Sequence, residues 1–245
     1  MIDDYEIIQE IGRGSFATVF KGKLGNGQIV AIKSVQKAKL NRKLNENLET
    51  EIAILNKSRH RNVVSLFTVT KSEKEIHLVM EFCALGDLSI FIKKRGGLDE
   101  FVVRHLLGQL ASAIEFLRFH QIIHRDLKPQ NILLAAPPNA GSINTSHMTI
   151  TDQKACYLPI LKLGDFGFAR SLEFQDMAST LCGSPLYMAP EILRGEKYDA
   201  KSDLWSLGAI AYEMITGKTP FRAQNHIELI RKIERGDGWI RFPDE

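Results

Sequence analysis

Hydrophobic and polar positions alternate in the first third of the chain and then take up a helical spacing. Tyr5 to Ile11 and Ala17 to Lys23 each carry the two-residue period of a strand, and Gly12-Arg13-Gly14-Ser15-Phe16 separates them, which predicts a Gly-rich hairpin. A tight turn at Gly25-Asn26-Gly27 leads into a further strand, Ile29 to Val35. Leu44, Leu48, Ile52 and Leu55 then recur at helical spacing and predict an amphipathic helix from Asn45 to Lys57. Val63 to Thr70 and Ile76 to Glu81 complete a small antiparallel sheet. After the stretch Glu81 to Asp87, which reads as a hinge, the spacing is mostly helical. Asp87 is placed to cap a helix over Leu88 to Lys94, and Asp99 to cap a long one ending at Phe119, with Val102, Leu106, Leu110, Ile114 and Leu117 as its buried face. Ile132-Leu133-Leu134 is a short strand and Leu158 to Leu163 resumes the sheet. Between them, residues 135–157 follow neither period and read as a flexible insertion. Ser202 to Thr216, with Trp205 buried, reads as a central helix, and Ala223 to Arg235 as a surface helix. The expected class is α+β, with no internal repeat.

Composition narrows the class without changing it. A chain of 245 residues, 44% hydrophobic and 25% charged, can bury a substantial core. Its net charge is only +3, and the one basic cluster, Lys37, Lys39, Arg42 and Lys43, reads as a solvated loop before a helix, so no nucleic-acid partner is expected. Cys83, Cys156 and Cys182 are odd in number and lack metal spacing, which suits a reducing, cytoplasmic setting. The start Met1-Ile2-Asp3-Asp4-Tyr5 is acidic where a signal peptide is basic, and no apolar run is long enough for a transmembrane segment.

Candidate chemistry concentrates between Ile122 and Arg170. His124-Arg125-Asp126-Leu127-Lys128-Pro129-Gln130-Asn131 is followed, after the insertion, by Asp165-Phe166-Gly167. One carboxylate, Asp126, is suited to orient a hydroxyl, and a second, Asp165, acts with the Asn131 amide to hold Mg²⁺ on a nucleotide. Lys128 is within reach of a transferring phosphate. Upstream, Gly12, Gly14 and Ala17 are small enough for backbone amides to approach phosphate oxygens, although Ala17 stands where the Gly-rich signature has a third Gly. Lys33, in Val30-Ala31-Ile32-Lys33, is the candidate grip on the α and β phosphates of ATP, with Glu51 as its partner and Glu49 as the rival. The nucleotide-binding set is Ile11, Gly12, Gly14, Ser15, Ala17, Val19, Ala31, Lys33, Met80, Glu81, Cys83, Asp87 and Leu133. Asp87 is a candidate for the ribose hydroxyls as well as a helix cap.

With these motifs in order, nearly the whole chain resembles a eukaryotic protein kinase domain, and Lys128-Pro129-Gln130-Asn131 resembles its Ser/Thr branch. Gly14-Ser15-Phe16-Ala17-Thr18-Val19, Asp165-Phe166-Gly167-Phe168-Ala169-Arg170 and Thr180-Leu181-Cys182-Gly183-Ser184-Pro185-Leu186-Tyr187-Met188-Ala189-Pro190-Glu191 are similar to the autophagy-initiating, Unc-like kinases. Leu158-Pro159-Ile160-Leu161-Lys162 after the insertion is similar to the fungal forms. The resemblance implies a bilobal fold, with an antiparallel-sheet N-lobe bearing one helix over residues 1–82 and a mainly helical C-lobe over 83–245. It implies transfer of the ATP γ-phosphate to Ser or Thr of protein substrates, with Asp126, Lys128, Lys33 and Glu51 catalytic and Asn131 and Asp165 as Mg²⁺ ligands. It also implies an activation segment from Asp165 to Glu191, with Thr180 as a phosphosite that Arg125 and Arg170 pair once phosphorylated. Gln130 resembles the residue of kinases without a strong demand for upstream Arg, and Phe168 that of kinases favouring Ser over Thr. Related domains continue past Phe242-Pro243-Asp244-Glu245 and supply an Arg partner for Glu191, so a C-terminally truncated domain is expected. Autophagy scaffold proteins are the implied partners, bound by a region outside this chain, with peripheral recruitment to the site of autophagosome formation. A scaffold with the same fold, an inactive fragment and a related kinase of another pathway are the competing readings.

Overall fold

A computed structural model describes residues 5–137, 158–166, 185–196 and 199–235. Five antiparallel strands form one sheet in the order β1-β2-β3-β5-β4, where β1 is Tyr5–Arg13, β2 Ala17–Leu24, β3 Ile29–Gln36, β4 Leu66–Lys71 and β5 Glu75–Glu81. Side chains of a strand alternate between faces, so β3 serves two layers. Val30 and Ile32 pack with Tyr5, Val79, Phe20 and Leu24 on one face. Val35 packs with Ile76, Leu78 and Leu48 on the other, under helix α1, Arg42–Lys57. Lys33 shares the parity of Val35 and therefore points to the side that α1 covers. The helix begins three residues before the expected Asn45, because the Asn41 side chain accepts the Leu44 N–H at 2.8 Å and caps it there.

The second layer is mainly helical: α2 is Leu88–Arg95, α3 Glu100–Phe119, α4 Pro190–Leu193, α5 Lys201–Thr216 and α6 His226–Glu234. A two-stranded ribbon of β6, Ile132–Ala135, and β7, Ile160–Leu163, lies against α3. Its main core joins Leu106, Leu110 and Leu117 of α3 to Ile132 and Leu134 of β6, Leu161 and Leu163 of β7, and Ile210 and Met214 of α5. On α3 it is Val103 that is fully buried, with Val102 at the margin, a one-residue rotation of the expected face.

Other expectations are corrected by hydrogen bonding. Val63 is not in β4: it bridges to Leu163 of β7, and Val64 N–H donates to the Leu163 carbonyl at 2.9 Å, so this segment stitches the sheet to the ribbon. Trp205 is half-buried and stacks on Phe221 with centroids 6.1 Å apart, while the buried positions of α5 include Ser202, Asp203 and Ser206. The surface helix starts at His226 because Asn225 caps it through the Glu228 N–H at 2.9 Å. Most of the 135–157 insertion lies outside the described residues, as do Thr180, Phe168, Arg170 and Ser184.

Gly108 lies on the exposed side of α3, and a methyl group added there meets nothing within 4 Å. Gly108→Ala is therefore expected to stabilise the chain by about 0.5–1 kcal/mol through the lower entropy of the unfolded state, read as a higher midpoint in urea.

Candidate active site

Lys33 and Glu51 meet in the interior between sheet and helix. The ammonium donates to both carboxylate oxygens, at 2.7 and 2.9 Å. Glu51 occupies a buried position of α1, while the rival Glu49 is exposed and accepts from the Asn45 side chain. Burial works against the Lys33 charge, but Glu51, together with Asp165 4.0 Å away, outweighs it and holds the ammonium above its ordinary pKa. Burial likewise pushes the Glu51 carboxyl upward against the pull of Lys33.

Asp126, Lys128 and Asn131 form a second cluster. Lys128 Nζ donates to Asp126 Oδ2 at 2.6 Å, and Asn131 Nδ2 donates to the same oxygen at 2.9 Å and to the Asp126 carbonyl at 2.8 Å. The Asn131 amide nitrogen is thus committed as a donor, leaving its side-chain oxygen as an acceptor. The Asn131 carbonyl accepts from Gly164 N–H at 3.0 Å, which sets Asp165 beside this loop. The backbone here is held in unusual conformations, with φ of 69° at Arg125 and 58° at Asp165. Four contacts support it. Asp203, 3% exposed on α5, accepts from His124 N–H at 3.0 Å and Arg125 N–H at 3.2 Å. The His124 ring meets the Gly164 carbonyl at 3.0 Å, and its neighbour Phe166 is fully buried in edge contact with it. Sequence reasoning missed Asp203, although a charged residue in the first turn of an otherwise apolar helix is a visible signal.

A cleft of about 550 Å³ joins the two clusters. Of the sequence-derived set, Ile11, Gly12, Val19, Ala31, Lys33, Glu51, Met80, Glu81, Cys83, Asp87, Asn131, Leu133 and Asp165 line it. Gly14, Ser15 and Ala17 do not: they form the hairpin turn, closed by Gly14 N–H to the Ala17 carbonyl at 2.8 Å. Asp126 and Lys128 stand just outside the lining, joined to it through Asn131. Leu55, Val64, Phe82, Ala84, Gly86, Ile90, Gln130 and Gly164 also line the cleft. Most of these supply apolar or backbone surface and carry no distinctive chemistry in the sequence. Asp87 accepts the Ile90 N–H at 3.0 Å and the Ser89 hydroxyl, so its capping role is in place.

Burial, aided by the nearby Glu81 carboxylate, pushes the Cys83 thiol up to about 12. The thiolate is the nucleophile, and its scarcity outweighs its higher intrinsic nucleophilicity, so alkylation of Cys83 at pH 8 is expected to be slower than that of an ordinary thiol by about tenfold or more, measured by mass spectrometry on the peptide containing it.

A carboxylate held by a Lys and an Asn amide, a buried Lys–carboxylate pair and a second carboxylate gather around one cleft, and the chain belongs to the protein kinase domain family, which matches residues 5–240. It is 53% identical over 266 aligned positions to the serine/threonine-protein kinase atg1 of Schizosaccharomyces pombe, covering all of this chain and 32% of that protein. It is 51% identical to the serine/threonine-protein kinase atg1 of Aspergillus clavatus, covering 98% of this chain and 30% of that one. The chain thus spans about a third of the length of the curated relatives it matches. The family uses ATP and a divalent metal, and the donors here fit both: a buried ammonium for phosphate, and the hard oxygens of Asn131 and Asp165 for a cation that keeps further positions for phosphate and water. No helix among the described residues is long and apolar enough to cross a membrane.

Proposed function

We propose that this chain is the catalytic domain of a Mg²⁺·ATP-dependent Ser/Thr protein kinase that acts at the start of autophagy. The observation that carries the catalytic part is the Lys33–Glu51 pair facing the Asp126–Lys128–Asn131 cluster across a cleft sized for a nucleotide. The autophagy part rests on the motif resemblance and on relatives named serine/threonine-protein kinase atg1.

Phosphoryl transfer depends on alignment and charge neutralisation more than on covalent work by the protein. Bound Mg²⁺ supplies neutralising charge at the phosphate oxygens. Lys33, fixed by Glu51, grips the α and β phosphates; Asn131 and Asp165 hold the metal; Lys128 lies beside Asp126 to balance charge as it accumulates. Asp126 Oδ2 is already taken by two donors, so its second oxygen is the one to orient the substrate hydroxyl and receive its proton. The Glu81 to Cys83 backbone takes the adenine, under Met80, and Asp87 the ribose. Thr180 is the regulatory phosphosite. Residues 1–82 act as the N-lobe and 83–245 as the C-lobe, in a cytoplasmic protein recruited peripherally by autophagy scaffold proteins.

The test is ³²P transfer from Mg·ATP to a Ser peptide, with Asp165→Ala as control and circular dichroism on both. Transfer that disappears in the control supports the assignment. A folded wild-type chain that transfers nothing overturns it.

A further inference from the structure

Outside the catalytic clusters, an ion pair between a buried Lys and a partly exposed Glu lies where the two layers meet. Lys162 of β7, 9% exposed, places its Nζ 2.7 Å from Glu81 Oε1, at the end of β5. The other Glu81 oxygen accepts from Ser65 N–H at 3.4 Å, and Glu81 N–H donates to the Ser65 carbonyl at 2.9 Å. Withdrawing the Lys162 charge and much of the Glu81 carboxylate from water is costly, and apolar residues of similar volume often serve stability as well. Stability alone therefore does not account for this pair.

Its position does. The crossing from sheet to helices runs from Glu81 to Asp87 along one wall of the cleft. At its far end, the backbone ties it to β6, with Leu85 N–H on the Leu134 carbonyl at 3.0 Å and Leu134 N–H on the Gly86 carbonyl at 2.8 Å. At its near end, the tie to the ribbon is the side-chain pair Glu81–Lys162, and Lys162 lies opposite Leu133 in the ladder. Three residues after Lys162 comes Asp165. Beside the backbone stitch of Val64 to Leu163, this side-chain bond ties the adenine end of the cleft directly to the strand that leads to Asp165 at its phosphate end.

We propose that Lys162 is a positioning residue for nucleotide binding, which acts through Glu81 to fix the distance between the base and phosphate ends of the cleft. This rests on the nucleotide-binding reading above. Lys162 itself need not touch the nucleotide, and an apolar pair at 81 and 162 that keeps the fold loses the alignment. A change in that distance costs contacts with the nucleotide at one end of the cleft or the other, so binding weakens ahead of turnover.

The test uses the 245-residue chain and the fluorescent analogue mant-ATP with Mg²⁺, with thermal melts on every variant. Lys162→Met is expected to weaken mant-ATP binding about tenfold and to raise the KM for ATP while kcat changes less than about twofold, with Lys162→Arg restoring both binding and KM. Lys162→Met leaves Glu81 unpaired and is expected to melt earlier; the double variant Lys162→Met/Glu81→Leu removes both charges and restores the melting temperature. Affinity that stays low in this stable double variant supports positioning. Affinity that returns with the melting temperature, or that never falls in a folded Lys162→Met, overturns it. A wild-type chain that binds no mant-ATP overturns the proposed function and this inference together.

Discussion

Lys33→Met is expected to lower phosphoryl transfer by about 10²–10³-fold or more, the range seen when one preorganised charge-stabilising donor is removed. It is also expected to make stability depend on pH in a particular direction. The Glu51 side chain is 5% exposed and would lose both of its hydrogen bonds. Breaking a buried ion pair from one side typically costs about 3–5 kcal/mol. In the wild-type chain, burial already raises the Glu51 pKa above 4.5, opposed by Lys33. Without Lys33, burial and the Asp165 carboxylate both push it up, and the opposing pull is nearly gone. A carboxyl whose folded pKa exceeds its unfolded value holds its proton better when folded. The variant's stability should therefore rise as pH falls from that elevated value toward 4.5, and be lowest on the alkaline side. Thermal melts between pH 5 and 8 check this, with Lys33→Met/Glu51→Gln as a reference that lacks the titrating group. If Lys33→Met melts alike across the range, Glu51 is not the group that carries the penalty. If it transfers phosphate at the wild-type rate, the assignment of Lys33 fails.

Gly217→Ala should be among the most damaging single substitutions in the chain, although Gly217 is far from any chemistry. Gly217 closes α5 in the left-handed region, with φ of 68°, and its N–H donates to the Glu213 carbonyl at 2.8 Å. A methyl group there would overlap the Gly96 carbonyl oxygen and lie 2.6 Å from its carbon. Both atoms are backbone, so no rotamer change relieves the overlap. Gly96 is itself the left-handed cap of α2, and next to it Leu98 N–H donates to the Met214 carbonyl at 2.7 Å, which locks the α2–α3 turn onto the end of α5. The substitution must part these elements or bend both caps. A loss of about 4 kcal/mol or more is expected, in the class of effects reserved for strain and core disruption. Against a total stability of about 5–15 kcal/mol, this should lower the melting temperature sharply, with Gly108→Ala as the harmless comparison. A near wild-type melting temperature would mean that the two turns do not pack as closely as described.

The types and order of the candidate site residues are legible along the chain, because those signals are local. A hairpin with small residues, the strand Lys33, the run Asp126 to Asn131 and Asp165 each depend on neighbours a few positions away. Helical spacing likewise placed α1, α3 and α5 within a few residues of their observed bounds. The choice of Glu51 over Glu49 also follows from periodicity, since only one of two residues two apart on a helix faces the sheet.

Tertiary structure alone decided the rest, where the energy lies in contacts between residues far apart in the chain. Asp203 is 79 positions from His124, yet it holds the His124–Arg125 backbone in a conformation that isolated residues avoid. Val63 obeys its strand pattern but bonds to β7 rather than β5, since β4 pairs with β5 only from Leu66 onward and the ribbon offers the partner for Val63. Trp205 looks like core from its residue type, but the inner face of α5 is taken up partly by the polar residues that brace the catalytic loop and the turn at Tyr187, where Ser206 donates to the Tyr187 carbonyl at 2.7 Å. The Lys162–Glu81 pair spans 81 positions, and an isolated Lys in a strand pattern looks like an ordinary solvent-facing residue. In each case desolvation and hydrogen-bond geometry, satisfied only once the chain has folded, override what local propensity favours.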